Sequence, residues 1–245
     1  MAINNMISVI IPCYNHGTAL PACLDSLREQ SIDDFEVIIV DDGSSDDTPS
    51  IVKKYIDTYI NDLQIKYLKI DHRGAPTARN YGAQEARGEY LLFADADLIF
   101  HKDALRKLLS ALQRNPNASY AYSSFRFGWK KFNSQPFNAA ALRKDNYIHT
   151  SALIRREHFL GFDKNLKRFQ DWDLWLTMLK NGFTGIFVPE VLFRARITRV
   201  GISAWRPRLW YVFWSFPYQW VGLAPRLFIQ YILAKKMVQQ KHSLT

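Results

Sequence analysis

The chain is short of several things. It has only two cysteines, Cys13 and Cys23, in 245 residues, both in apolar settings and neither with a histidine at metal-ligand spacing. That excludes a disulfide scaffold and a zinc knuckle, and it fits reduced, buried thiols in a reducing compartment. No GxGxxG and no GxxxxGK[ST] occurs, which disfavours a dinucleotide-dependent dehydrogenase and a P-loop enzyme. The opening MAINNMISVIIP has no basic start and no long apolar region, so it reads as a first strand rather than a signal peptide. No internal repeat or low-complexity tract is evident. The last absence is the most local. Acidic residues stop at Glu190, so residues 191–245 carry nine basic residues and no acid. Up to Glu190 the chain is electrically balanced, and the whole net charge of +9 sits in this tail. Such segregation calls for an anionic partner, either a membrane surface or nucleic acid.

What is present is a core. Hydrophobic residues make up 48% of the chain, enough for one large domain or a domain with an appendage. ISVIIP (7–12), FEVIIV (35–40), QIKYLKI (64–70), EYLLFA (89–94) and SYAYSS (119–124) read as strands. The uninterrupted apolar character of FEVIIV fits a strand covered on both faces. Helices fall between them. Leu20, Cys23, Leu24 and Leu27 share one helical face, and Thr48-Pro49 reads as a cap and first-turn proline for a helix to about residue 61. Further helices are expected from Pro76 to Ala86, around Leu105, Leu108, Leu109 and Leu112, and around Trp172, Trp175, Leu176 and Leu179, the last stopped by Asn181-Gly182. Residues 125–150 read as a long loop or a small irregular subdomain. The alternation predicts an α/β fold with a mostly parallel sheet flanked by helices, and in such sheets ligands bind beyond the carboxyl ends of the strands.

Three strand ends carry distinctive groups: Pro12–Asn15, Asp41–Ser44 and Asp95–Asp97. Asp95 and Asp97 interrupt the apolar run LLFADADLIF, and an unpaired carboxylate in such a setting costs several kcal/mol. A hard divalent cation, Mg²⁺ or Mn²⁺, bridging both acids to substrate phosphates would offset that cost. The alternative is that both acids end a strand and face water. Asp41-Asp42 allow two readings in the same way: acceptors for a base or ribose, or an Asx-turn with Gly43 supplying the bend.

SVIIPCYN, VIIVDDGSSDDT, GAPTARNYG, YLLFADADL and FQDWDLWLTML, in this order across residues 7–182, resemble the GT-A glycosyltransferases, specifically glycosyltransferase family 2. The resemblance implies a GT-A, Rossmann-like fold, a nucleotide-diphosphate-sugar donor, a divalent metal (Mn²⁺ or Mg²⁺) and an inverting mechanism. By position, Pro12, Tyr14, Asp41 and Asp42 would hold the nucleoside, and Asp95 and Asp97 would form the DxD metal site. Arg73 or Arg79 would assist the base or diphosphate. Asp171 would be the catalytic base, with Asp173 in support or in contact with the acceptor. Two departures stand out: Gln170 replaces the usual Glu before Asp171, and Thr198 falls where relatives carry a His, leaving Arg196 or Arg199 either to meet a diphosphate or to face lipid. His149, Thr150 and Ser151 mark the start of the acceptor side. Residues 1–98 form the nucleotide-sugar-binding half on this reading, 99–203 the acceptor-binding half, and 204–245 a membrane-associating helical tail.

That tail holds four of the seven tryptophans, Trp205, Trp210, Trp214 and Trp220. Its uncharged stretch between Arg208 and Arg226 is 17 residues, at the short limit for a spanning helix, and contains Pro217. Aromatics flanked by Arg and Lys suit an interface, so two helices lying on an anionic leaflet, broken near Pro217 and Pro225, are expected; the alternatives are packing on the catalytic domain or a dimer partner, and insertion into the membrane. The aromatics are too dense and apolar for a nucleic-acid groove. The expected function is therefore inverting transfer of a sugar to a lipid-linked or other glycan acceptor, by an enzyme peripheral to the cytoplasmic side of a membrane. The rivals are a catalytically inactive nucleotide-sugar-binding module and a nucleotidyltransferase. PCYNHGTALP offers the latter only His16 and Gly17 as a phosphate loop.

Overall fold

The computed structural model describes residues 5–196 and 226–244. Each expected strand is present: β1 (Ile7–Cys13), β2 (Phe35–Asp41), β3 (Ile65–Lys69), β4 (Tyr90–Phe93) and, after the short β5 (Leu98–Phe100), β6 (Tyr120–Phe127). The helices between them are α1 (Leu20–Arg28), α2 (Thr48–Thr58), α3 (Ala75–Glu85) and α4 (Ala104–Arg114). β3, β2, β1 and β4 lie side by side and parallel, with Val9 opposite Val37 and Leu92. Successive residues of β1 point to opposite faces, as strand geometry requires. Ile7, Val9 and Ile11 pack with Leu24 and Leu27 of α1 and Leu105 and Leu108 of α4. Ile10 faces the other way, onto Ala78 of α3 and a cluster holding Trp172 and Trp175. Gly82 lets α3 come this close: a Cβ there would stand 2.5 Å from Ile10 Cγ2.

Two details depart from expectation. Thr48 is the first residue of α2 rather than its cap, and the Asp46 carboxylate takes both its N–H (3.0 Å) and its hydroxyl (2.6 Å). Residues 125–150 are more ordered than an irregular loop. β6 runs on to Phe127 and turns back as β7 (Lys130–Phe132), and a short helix α5 (Ala139–Lys144) follows, capped by Asn138. Period-two alternation is weak in FRFGWKKF, so its hairpin is legible only once Phe125 is seen stacked on Phe132 and Phe193. The sheet continues past β4 through the antiparallel β8 (Leu153–Arg155), then β6, β9 (Gly185–Ala195) and β5, so one nine-stranded sheet runs through both halves of the domain. Six of the nine strands, β1–β4, β6 and β9, run in one direction. α6 (Gln170–Lys180) covers the second half.

The last helix, α7 (Arg226–Lys241), begins next to Pro225 and packs on the domain: Val238 is fully buried, and Tyr231 meets Phe169 at 5.0 Å. That part of the tail thus lies on the protein itself. Thr198, Arg199, Pro217 and the four tail tryptophans lie outside the described residues. Among the described residues no helix is long and apolar enough to cross a membrane.

Candidate active site

The ends of β1, β2 and β4 open on one cleft. Pro12, half-buried, sits opposite Val40 in the β1–β2 ladder. Beyond it Asn15 adopts a left-handed backbone (φ 54°), a conformation its short amide side chain tolerates. Its Oδ1 accepts the N–H of Ser45 at 2.9 Å, and its own N–H donates to Ser44 Oγ at 3.0 Å. This lacing fixes the loop after β2. Asp41, fully buried, accepts the Ser44 N–H at 2.7 Å and the Tyr67 hydroxyl at 2.5 Å. Asp42 accepts the N–H groups of Arg73 (2.7 Å) and Gly74 (2.8 Å), and its carboxylate lies 2.9 Å from His72 Nδ1. Both carboxylates therefore shape the pocket from within. The surface presented above them is aromatic: Tyr14, 40% exposed, stacks on the His72 ring at 4.0 Å. His72 carries no motif, so sequence offered no signal for it.

The two candidate arginines separate. The Arg73 side chain is exposed, and its contribution here is the backbone N–H held by Asp42. Arg79, on α3, is buried and spans the cleft floor: Nη2 donates to Asp95 Oδ1 and Nη1 to Gln170 Oε1, each at 2.7 Å. The Gln at 170 is thus an uncharged partner for an arginine whose charge Asp95 already meets.

Asp95 and Asp97 follow β4 in a turn closed by the Leu98 N–H on Asp95 O at 3.0 Å, with buried Ala96 between them. Burial pushes Asp95 up, but the Arg79 guanidinium, the His149 ring and His16 outweigh it and hold the carboxyl below its usual range. Asp97 goes the other way: burial and the neighbouring Asp95 charge push it up to about 6. The backbone around them is tied down, since Asp97 O accepts the Arg196 N–H at 3.0 Å. Like charges this close suit a hard divalent cation, which would bind both and relieve their repulsion. Among the described residues no third His, Cys, Asp or Glu completes a metal cluster, so remaining coordination would fall to substrate oxygens and water.

Asp171 opens α6, after Phe169 in a left-handed conformation (φ 58°). Its Oδ1 accepts the Trp172 N–H at 2.9 Å and its Oδ2 the Asn146 amide at 2.8 Å. Burial raises its pKa, opposed by His149 and by these two donors. His149, packed between Phe125 and Phe193 at 4.6 and 5.0 Å, accepts the Ser151 N–H on Nδ1 at 3.1 Å, so its proton belongs on Nε2. Burial lowers its pKa against the charges of Asp95 and Asp171, both of which act on it. His149 and Arg79 therefore join the strand-end acids to Asp171 in one electrostatic cluster. Asn146 was not foreseen; it lies in the stretch that gave no periodic pattern.

Comparison with known proteins agrees with this arrangement. Residues 8–173 match the profile described as Glycosyl transferase family 2, which spans β1 to the first turn of α6. The amylovoran biosynthesis glycosyltransferase AmsB of Erwinia amylovora is 31% identical over 217 residues, 79% of this chain and 71% of that protein. Among solved structures, TarS of S. aureus in complex with UDP-GlcNAc superposes with a TM-score of 0.71 at 22% identity, over 82% of this chain. This chain spans only 62% of that one. The mannosyltransferase PcManGT of Pyrobaculum calidifontis in complex with GDP-Man and Mn²⁺ gives 0.65 at 23% identity, over 95% of this chain and 69% of that one. The fold is that of these GT-A proteins, and the chain belongs to glycosyl transferase family 2.

Proposed function

We propose that this protein is a metal-dependent, inverting glycosyltransferase that moves a sugar from a nucleotide-diphosphate donor to a hydroxyl of a lipid-linked glycan. The observation that carries this reading is one cluster of charged groups: Arg79 bonds Asp95 and Gln170, the neighbour of Asp171, and Arg79 and His149 act on both Asp95 and Asp171.

The base of the nucleotide stacks on the Tyr14–His72 platform, framed by Pro12 and by the loops that Asp41 and Asp42 hold. Asp95 and Asp97 are the residues to hold Mg²⁺ or Mn²⁺, which when bound would neutralise the charge that grows on the departing nucleotide diphosphate. PcManGT was solved with GDP-Man and Mn²⁺ and TarS with UDP-GlcNAc, so the nucleotide sugar is the shared chemistry while the base and sugar differ. Asp171 takes the proton of the acceptor hydroxyl as that oxygen attacks C1 from the face opposite the diphosphate, which inverts the anomeric centre. Its raised pKa brings it closer to working pH than an ordinary aspartate, as a base requires. His149, neutral with Nε2–H, supplies a donor between the two ends of the cleft.

AmsB works in amylovoran biosynthesis, which supports a polysaccharide-assembly setting, and the basic, aromatic tail supports an acceptor presented at the cytoplasmic side of an anionic membrane. Screening nucleotide sugars with and without Mn²⁺ by thermal shift tests the donor. A true donor at a hundred times its Kd adds about 2.7 kcal/mol of stability, and metal-independent or absent stabilisation across the panel overturns the reading. Flotation with phosphatidylglycerol vesicles, comparing the chain with a variant in which Trp205, Trp210, Trp214 and Trp220 are changed to Ser, tests the membrane. Unchanged lipid binding removes that part.

A further inference from the structure

α7 and the residues after it lie beyond the part of the chain that the family profile matches, yet they close on the turn that carries Asp171. Three contacts converge there. Tyr231 packs edge-on against Phe169, the left-handed residue from which α6 starts. Lys235 reaches Asp145 Oδ1 at 3.3 Å and lies 5.6 Å from the Trp172 ring centre. Asp145 immediately precedes Asn146, the donor to Asp171. At the end of the helix Lys241 Nζ bridges Asp163 (2.7 Å) and Asp173 (2.9 Å), and His242 Nε2 lies 2.8 Å from Asp173 Oδ1. The His242 and Asp173 side chains are 7% and 3% exposed.

Helical geometry explains the division of labour. Residues two apart on an α-helix point about 200° from each other around the axis. When Asp171 faces the cleft, Asp173 faces away from it, so it supports the fold rather than touching the acceptor. A carboxylate buried in that position needs partners, and the chain's own C-terminal Lys241 and His242 provide them. Burial lowers the Lys241 pKa, but its bonds to Asp163 and Asp173 outweigh this and the ammonium stays charged. A bulky residue held in the left-handed region, such as Phe169, persists only where surrounding structure over-determines it, and the Tyr231 contact is part of that surrounding structure.

We propose that α7, with Lys241 at its end and His242 just after it, is a brace that fixes the first turn of α6, with Asp173, Lys241 and His242 as positioning residues for Asp171. The inference rests on Asp171 being the base. Misplacing a catalytic group by about 1 Å costs on the order of 100-fold in rate, while donor affinity, set at the other end of the cleft, is untouched.

The test uses the full chain with Lys241→Ala and His242→Ala combined, Lys241→Arg as the conservative control, and Asp173→Asn as a second route. Lys241 is partly exposed, so its truncation spares the core. Three quantities are read: kcat and donor KM for the nucleotide sugar selected by thermal shift, and amide exchange in residues 166–176 against β1 and β2. The brace predicts kcat down about 10- to 100-fold with KM within about twofold. It also predicts faster exchange confined to 166–176 and near-normal behaviour of Lys241→Arg. Faster exchange with unchanged kcat, or unchanged exchange in that segment, overturns it. If the unmodified chain transfers no sugar from any donor, the glycosyl-transfer reading fails instead, and exchange alone then decides whether the C-terminus orders α6.

Discussion

The two ends of the cleft are built from opposite materials. At the donor end, Asp95 and Asp97 follow a parallel strand and are half-buried, and Asp95 meets the Arg79 guanidinium. At the acceptor end, Asp171 starts a helix and is half-buried too, but its carboxylate meets an amide and a backbone N–H and, among the described residues, no cation in direct contact. The consequences for charge diverge. Asp95 is held below the usual carboxylate range and Asp171 is pushed above it. Two carboxyls driven apart in this way suit different tasks, and on the proposed reading the first stays ionised to face cations and phosphates while the second accepts a proton. Asp97, raised by burial and by the Asp95 charge, sits beside the lowered Asp95, so the groups each carboxyl meets, rather than residue type, set its behaviour.

Asp171→Asn strikes that division hardest. It keeps the shape and the acceptor for the Trp172 N–H, turns the oxygen facing the Asn146 amide into an N–H donor, and removes proton acceptance, so transfer should fall about 100- to 10 000-fold. Nucleotide-dependent thermal stabilisation in Mn²⁺ should be unchanged. Asp97→Asn should reverse the pattern, losing the Mn²⁺ dependence of donor binding. If Asp171→Asn turns over normally, the base lies elsewhere. If neither variant changes turnover because the parent transfers nothing, the inactive binding module replaces the enzyme.

The donor end was legible from sequence and the acceptor end was half so, for a physical reason. Strand-end positions follow from short apolar runs: once ISVIIP, FEVIIV and EYLLFA are strands in one parallel sheet, Pro12, Asp41 and Asp95 have to meet at one edge. α6 was equally readable from Trp172, Trp175 and Leu176. What surrounds Asp171 was not. Asn146 and His149 come from a stretch without periodicity and reach the cleft through β6, β8 and β9, whose pairing depends on contacts far apart in sequence. The brace was hidden for a related reason. α7 has a weakly one-sided pattern, and a strongly basic tail without acids points first to an outside partner. Its partners, Asp145, Asp163 and Asp173, lie in the balanced part of the chain.

The supports of the two ends can be weighed by stability. Trp175 is fully buried in the acceptor half, stacked on Tyr120 at 4.6 Å, and donates its indole N–H to Ile148 O at 3.0 Å, next to His149. Trp175→Ala should cost about 3–5 kcal/mol in chemical denaturation. Gly82 belongs to the donor half, where an added methyl would meet Ile10 Cγ2 at 2.5 Å and Val40 Cγ2 at 3.1 Å. Gly82→Ala should cost less, about 1–3 kcal/mol, because those methyls can shift a little while α3 gains a better helix former. If Gly82→Ala proves the more damaging, the parallel half is the more tightly packed and the ranking of the two supports is wrong.

The mildest test changes only pH. In the metal-free protein Asp97 holds its proton up to about pH 6, raised by burial and by Asp95. The folded chain then binds more protons than the unfolded one between the ordinary aspartate range and that value. This group's contribution to stability accordingly falls as pH rises through the interval. A divalent cation competes with the same proton, so Mn²⁺ affinity should climb from pH 5 to about 6 and level off above it, a change of about tenfold between pH 5 and 7 from this single group. Isothermal titration with Mn²⁺ at several pH values measures it. Asp171→Asn should leave the curve where it is, because that carboxyl belongs to the other end of the cleft. Asp95→Asn should move the inflection down, because it removes the charge that raises Asp97. A Mn²⁺ affinity flat across the range would take Asp97 out of the metal site and leave Asp95, with Arg79 beside it, as an ion pair that serves the fold.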